Sequence, residues 1–265
     1  MSNKVIGHCN ICGCFEQLSE DHVPPRCCDN KGNVNYYALF DRNFQPNKKP
    51  KQAQNGIKFK TICSKCNNER LGKELDPFLG EMQNGIIDMC STFTNLSDGD
   101  LLNVYINKIS RCVIGHMLAA FPHYINTNFE NSLREYFLDK TKQSIAGLHL
   151  YVWVNFEKRV AIARNVGIAL DADFNGSMVS LLKFPGAAFM LCNKQIDDNM
   201  IDLFDFTTYN IEDCVKIPIN ISSIVSKRGE LKTTEWPLIE NDYRLFVLGQ
   251  ERKLMPIFST FLDIH

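Results

Sequence analysis

Two Cys-x-x-Cys pairs constrain the fold of this chain more than any other feature of its sequence. One pair is Cys9 and Cys12, and the other is Cys63 and Cys66. Each pair presents two thiolates from one tight turn, and two such turns supply the four soft ligands of a closed tetrahedral zinc site. Residues 1–80 are short and polar, so we expect the metal to stabilise a segment that has little core of its own.

The remaining cysteines are weaker candidates for metal binding. Cys14 competes with Cys12 as a ligand, and Cys27 and Cys28 are further alternatives, but none of these three has a Cys-x-x-Cys partner. We expect four later cysteines to be buried as small hydrophobic side chains: Cys90, Cys112, Cys192 and Cys214.

The N-terminus has no signal-peptide core and no apolar run is long enough to span a bilayer, so the expected location is the cytoplasm, without membrane association.

Charge is distributed unevenly along the chain. Residues 1–80 hold 12 Lys and Arg against 8 Asp and Glu, whereas the remaining residues hold 17 against 22. A basic front and an acidic back indicate that the front meets a polyanion.

The chain divides into a Cys-rich section of residues 1–80, a helical section and a β-rich section. Apolar residues recur at helical spacing from Ile106 to Ala120 and again within Phe129–Lys142. His116 and His123, with Cys112, suggest a further metal site, but His116 lies on the first apolar stripe and is expected to be a core histidine. The strand candidates are Leu148–Val154, Arg159–Ile162, Met178–Phe184, Ala187–Cys192 and Arg244–Leu248. We therefore predict an α+β protein with a mainly antiparallel sheet in residues 81–265.

A short string of residues between the two cysteine pairs carries a family resemblance. Asp21-His22-Val23-Pro24-Pro25-Arg26 lies between the pairs, and Asn67 directly follows the second pair. This order resembles the HNH (ββα-metal) endonucleases, in particular the cysteine-stapled branch that includes phage resolvase-type nucleases. The segment from Cys66 to Gly72, with Asp76, is similar to the ending of a bacterial HNH subgroup. The resemblance covers about residues 5–80 and implies a zinc-bound ββα-metal module there.

The resemblance assigns roles that agree with the chemistry of the residues. His22 would deprotonate water, since imidazole titrates near neutral pH. Asp21 and Asn67 would hold Mg²⁺ or Mn²⁺ against the scissile phosphate, because hard cations take oxygen ligands. Two candidates stay open for the middle asparagine of the motif, Asn43 and Asn55.

A basic segment adds a candidate nucleic-acid surface. Six lysines and no acidic residue lie between Pro46 and Lys65, and Asn55-Gly56 is a strong hairpin-turn signal. A basic hairpin here would bind phosphates without sequence preference. Arg26 would either contact a phosphate or pair with Asp29. The lysines are Lys48, Lys49, Lys51, Lys58, Lys60 and Lys65.

The sequence thus predicts a metal-dependent endonuclease that cleaves DNA. Residues 81–265 would control it by sensing a ligand, binding a protein partner or forming a homo-oligomer, as in a phage-defence effector. Two alternatives stay open: a non-catalytic zinc module that binds nucleic acid or protein, and a nuclease that acts on RNA or branched DNA.

Overall fold

The computed structural model describes residues 4–36, 51–91, 101–155, 160–169, 176–195 and 201–218, and three further strands near the C-terminus. The first section contains β1 (Val5–His8), β2 (Phe15–His22), a 3-10 turn (Arg26–Cys28), β3 (Val34–Tyr36), β4 (Lys51–Ala53), β5 (Lys58–Cys63) and a π-helix (Lys65–Leu71). Strands β1, β2 and β5 form a three-stranded antiparallel sheet in that order. The two Cys-x-x-Cys turns lie at one end of this sheet.

Three α-helices follow: α1 (Asp76–Ser91), α2 (Ile106–Ala119) and α3 (Asn128–Leu138). Both apolar stripes predicted by periodicity are thereby confirmed as helices. Helix α2 is buried along its whole length. It contacts the first section directly, because Thr61 Oγ1 donates to the Ala119 carbonyl at 2.5 Å and Asn10 Nδ2 donates to the Leu118 carbonyl at 3.1 Å.

The remaining strands are short β6 and β12 and the members of one large sheet. Their bounds are β6 (Leu101–Val104), β7 (His149–Asn155), β8 (Val160–Ala169), β9 (Gly176–Phe184), β10 (Gly186–Cys192), β11 (Ile201–Asp202), β12 (Val215–Pro218), β13 (Leu245–Leu248), β14 (Leu254–Pro256) and β15 (Phe261–Ile264). A short 3-10 turn, Leu203–Phe206, follows β11. The large sheet has the order β11-β7-β10-β9-β8-β15-β3-β4, and its pairings are antiparallel. Strand β13 also pairs with β8, and β14 pairs with β13. The α+β class is therefore confirmed.

Residues on both sides of position 80 share one apolar core. Strands β3 and β4 join the large sheet through β15, although they come from the first section of the chain. One buried cluster includes Ile62 and Leu71 from the first section together with Ile114 and Phe137 from the helices. The change in composition near residue 80 thus does not coincide with a gap in the packing. Among the described residues, no helix is long and apolar enough to cross a membrane.

Two local predictions from the sequence are wrong. Asn55 and Gly56 do form a turn in which both φ angles are positive, at 60° and 81°, as a two-residue Asn-Gly turn requires. However, β4 pairs with β3 and β5 pairs with β2, so the turn connects strands of different sheets instead of closing a basic hairpin. Cys214 was expected to be buried but is exposed, whereas Cys112 and Cys192 are buried as predicted.

Candidate functional site

The four cysteines of the two Cys-x-x-Cys pairs converge on one point. The sulfur atoms of Cys9, Cys12, Cys63 and Cys66 all lie within 4.8 Å of one another. Cys12 Sγ and Cys63 Sγ are 3.8 Å apart, which is about the edge of a tetrahedron with Zn–S bonds near 2.3 Å. The four thiols can therefore hold a metal ion such as zinc. The alternative ligand Cys14 is exposed beside this group, and Cys27 and Cys28 lie together elsewhere.

The surroundings of the group favour a thiolate, the form that binds metal, on Cys9. Burial raises the pKa of the Cys12 and Cys63 thiols, and the hydrogen bond to Cys9 raises the pKa of the Cys66 thiol. The main-chain N–H groups of Cys12 and Cys63 point at Cys9 Sγ, at 3.5 and 3.3 Å. A hydrogen bond from the Cys66 thiol, together with these amides, lowers the pKa of Cys9 to about 5 despite its burial. Arg70 Nη1 lies 3.2 Å from Cys66 Sγ and brings a positive charge to the group.

His22 ends β2 beside the Asn55–Gly56 turn. Its Nε2 lies 2.9 Å from the main-chain oxygen of Asn55. A carbonyl oxygen only accepts hydrogen bonds, so Nε2 carries the proton and Nδ1 is the unprotonated nitrogen. The contact is made by the main chain of Asn55, one of the two candidates for the middle asparagine. The other candidate, Asn43, lies outside the described residues.

The surroundings of His22 keep its imidazole neutral. Partial burial lowers the pKa of His22, the hydrogen bond to Asn55 opposes that effect, and the positive charges of Lys58 and Arg26 lower the pKa further. Arg26 is exposed. Its alternative partner Asp29 pairs with Lys31 at 3.0 Å. Two cationic side chains thus lie near the His22 imidazole.

Asp21 lies on the opposite face of β2 from His22, as the alternation of side chains along a strand requires. It is only 4 % exposed, and its Oδ2 lies 3.3 Å from Nδ1 of the buried His116. Burial raises the pKa of the Asp21 carboxyl, although the nearby His116 acts in the opposite sense. The carboxylate therefore faces the protein interior instead of the surface around His22.

Asn67 lies in the π-helix and holds that helix against β2. Its Nδ2 donates to the Glu20 carbonyl at 2.7 Å and to Ser19 Oγ at 3.0 Å. Both bonds use the amide nitrogen, which is not the atom that binds a cation. Asn67 thus bonds to β2, whereas Asp21 contacts His116 of α2. The neighbouring Asn68 bonds to Ser64 Oγ at 2.8 Å.

Three of the six predicted lysines have described side chains. Lys58 is half-buried and its Nζ lies 3.8 Å from Glu20 Oε2, Lys60 is half-buried, and Lys65 is exposed at the start of the π-helix. Lys48 and Lys49 lie outside the described residues, as does the side chain of Lys51.

Sequence reasoning missed Asn30 and the carboxylate partners of His116. Asn30 is buried and bonds to both main-chain groups of Ile57, which holds the turn that carries the Asn55 carbonyl. A lone asparagine in a loop gives no signal of that role.

Asp76 bonds to His116 at 2.9 Å. The spacing of Cys112 and His116, four residues apart on one helix, was the available signal for this second group. His116 is buried as predicted, but between two carboxylates instead of apolar side chains alone.

Comparison of the chain with protein-family models, with curated proteins and with solved structures finds no match.

Proposed function

We propose that this chain is an endonuclease that hydrolyses DNA phosphodiester bonds, with His22 as the general base. The observation that carries the proposal is the contact between His22 Nε2 and the Asn55 carbonyl at 2.9 Å. It fixes the tautomer in which Nδ1 accepts a proton, and the lowered pKa of His22 keeps that nitrogen free at neutral pH. Lys58 and Arg26 would attract the phosphate next to it.

In this proposal a zinc ion on the four cysteines positions the site without taking part in the reaction. The Cys63–Cys66 turn joins β5 directly to the π-helix, and the Cys9–Cys12 turn joins β1 to β2. A metal ion shared by both turns would hold the start of β2 against the π-helix, and the strand would in turn place His22 at its other end, opposite Lys58. Thiolate ligands without an open position are typical of structural zinc.

A catalytic Mg²⁺ or Mn²⁺ is implied by the HNH resemblance, with Asp21 and Asn67 as its ligands. The geometry does not fit this pair, because Asp21 contacts His116 in the interior and Asn67 uses its amide nitrogen on β2. We therefore assign no catalytic step to a cation held by these two residues. Cation dependence of the reaction stays a prediction.

The proposed nuclease would be controlled by residues 81–265, in keeping with a role as a phage-defence effector in the cytoplasm. Helix α2 is hydrogen bonded to the first Cys-x-x-Cys turn through Asn10, and to β5, just before the second turn, through Thr61. Binding of a ligand, a protein partner or a second copy to the later part of the chain could thus reach the zinc turns through α2.

One observation favours a second candidate, a zinc module that binds nucleic acid without cleaving it. Asp21, a catalytic ligand in the nuclease hypothesis, is buried against His116. Such a module needs the four cysteines and the basic surface but not a base at position 22. A cleavage experiment separates the two candidates.

The test is plasmid cleavage by the full-length chain with Mg²⁺, with Mn²⁺ and with EDTA. Wild type should nick the plasmid only with a divalent cation, and His22→Ala should lose this activity while its zinc content stays unchanged. His123→Ala is the matched control, because His123 is exposed and far from β2 in sequence. Absence of cutting by wild type, combined with retained binding to DNA, would support the non-catalytic module.

A panel of duplex, single-stranded and branched DNA and of RNA identifies the substrate. We expect duplex DNA to be cut. Cleavage of RNA alone, or of branched DNA alone, would identify that nucleic acid as the substrate instead. The proposed role of His22 would be unaffected.

A further inference from the structure

A second group of metal-ligating side chains lies in the interior, behind β2 and on the face opposite His22. Asp76 at the start of α1 meets Cys112 and His116 of α2. Asp76 Oδ1 lies 2.9 Å from His116 Nε2 and 3.3 Å from Cys112 Sγ. One ligand atom from each of the three residues lies within 4.8 Å of the other two. Asp21 approaches the same imidazole from its other nitrogen.

This group is buried and incompletely hydrogen bonded. Cys112 and His116 are 0 % exposed. Asp21 Oδ2 and His116 Nδ1 face each other at 3.3 Å, yet neither forms a hydrogen bond with the described residues. This ion pair holds the imidazole from its Nδ1 side and leaves Nε2 directed at Asp76. The Asp76 carboxylate faces a thiol and an imidazole, so apolar packing does not account for this group.

We propose that Asp76, Cys112 and His116 bind a second zinc ion, separate from the ion on the four cysteines. Carboxylate oxygen, thiolate sulfur and imidazole nitrogen are the three ligand types that zinc takes in proteins. Cys112 and His116 are four residues apart on α2 and therefore project from one face of the helix. Asp21 would be the outer carboxylate that accepts the Nδ1 proton of His116, the arrangement that orients most metal-binding histidines.

Zinc binding at this site would release two protons. The ion replaces two protons, one on His116 Nε2 and one on the Cys112 thiol, so the buried charge does not change. The imidazole then binds zinc through Nε2 and keeps its Nδ1 proton for Asp21. The fourth position is left for a water molecule or a further thiol, and Cys27 Sγ already lies 3.2 Å from the main-chain oxygen of Asp76.

The proposed ion would connect β2, α1 and α2 and thereby join the Cys-rich section to the helices. It also gives Asp21 a role different from the one that the HNH resemblance implies. The inference does not depend on nuclease activity, since its readout is bound metal. A chain that never cuts DNA could still bind two zinc ions, and a cutting chain could bind only one.

The first test measures zinc per chain by mass spectrometry of the full-length protein after removal of loosely bound metal. We expect about two zinc ions for wild type, and about one for Cys112→Ala and for Asp76→Asn. Cys192→Ala is the matched control, because Cys192 is also buried but lies on β10. This variant should keep both ions. One zinc per wild-type chain, unchanged in Cys112→Ala, would overturn the proposal.

A second measurement needs no variant and decides the matter if the substituted proteins fail to fold. X-ray absorption at the zinc edge of wild type should show nitrogen or oxygen ligands at about 2.0–2.1 Å beside sulfur ligands at about 2.3 Å. A spectrum with sulfur ligands alone would mean that only the four-cysteine site is occupied, and the second site would be refuted.

Discussion

Asn30 and Ile57 are joined by two reciprocal hydrogen bonds across the base of the Asn55–Gly56 turn. The Ile57 N–H donates to Asn30 Oδ1 at 2.7 Å, and Asn30 Nδ2 donates to the Ile57 carbonyl at 2.9 Å. Asn30 also donates to the Pro24 carbonyl at 2.6 Å, two residues beyond His22. One buried amide thus ties the turn that carries the Asn55 carbonyl to the segment that follows the candidate base.

The first prediction concerns Gly56, which packs directly on Asn30. A methyl group at position 56 would overlap the main-chain oxygen of Asn30, and the φ angle of +81° is unfavourable for alanine. Gly56→Ala should lower the free energy of unfolding by about 2–4 kcal/mol, measured by urea denaturation. It should also reduce DNA cleavage, because the Asn55 carbonyl would move relative to His22.

Gly32→Ala is the control for this prediction. Gly32 has a similar φ angle of +78°, but an added methyl group there would meet no atom within 4 Å. Its cost should be only the backbone strain, about 1 kcal/mol. Equal losses in the two variants would show that packing against Asn30 is unimportant.

The second prediction separates Cys12 from Cys14. Cys12→Ala removes one of the four converging sulfur atoms and should abolish tight zinc binding at that site, since three ligands hold the ion more weakly. Cys14→Ala removes an exposed thiol of the same loop and should leave the zinc content unchanged. The measurement is zinc retained in the presence of a competing chelator. Loss of zinc in Cys14→Ala alone would assign Cys14 as the ligand instead of Cys12.

The third prediction concerns the charge next to the thiolates. Arg70 Nη1 lies 3.2 Å from Cys66 Sγ, and hydrogen bonds to charged groups contribute roughly 1.5–3 kcal/mol when buried. Arg70 is only partly buried, so solvent screening reduces this value. Arg70→Met should therefore weaken zinc binding by about three- to tenfold, measured by chelator competition. Arg70→Lys should recover part of the affinity, and an unchanged affinity in Arg70→Met would argue against the interaction.

The fourth prediction is the pH dependence of cleavage. Burial and the charges of Lys58 and Arg26 lower the pKa of His22 below its ordinary value of 6.5. The unprotonated imidazole is the active form of a base, so the rate should be constant near neutral pH. It should fall as the pH decreases through a value under 6.5. Rates measured from about pH 5 to pH 8, with circular dichroism as a control for folding, test this. An inflection above pH 7 would exclude His22 as the base.

Much of the regular structure followed from local patterns. The apolar stripe from Ile106 predicted α2, and the β-rich runs predicted β7, β9 and β10 within one or two residues. These patterns are informative because a buried face repeats at the period of its own element. The group of four cysteines was predictable for a related reason. Each Cys-x-x-Cys turn brings its own two sulfur atoms together, and two such turns supply the four ligands of one zinc site.

The strand pairing of the first section could not be read in the same way. Asn55-Gly56 predicts a turn but not the pairing of the strands on either side. Strand β4 pairs with β3, and β5 pairs with β2. Which edge a strand bonds to depends on the rest of the sheet. The large sheet recruits β3 and β4 through β15, more than 200 residues later in the chain.

The residue types and their spacing alone determined the α+β class, the helices and the group of thiols able to hold a metal. Only the tertiary structure decided that Asp21 meets His116, whose other ring nitrogen meets Asp76. The physical reason is that helical periodicity and turn chemistry are properties of neighbouring residues. The environment of an ionisable side chain is instead set by whichever distant element packs against its face of the strand, here α2 against β2.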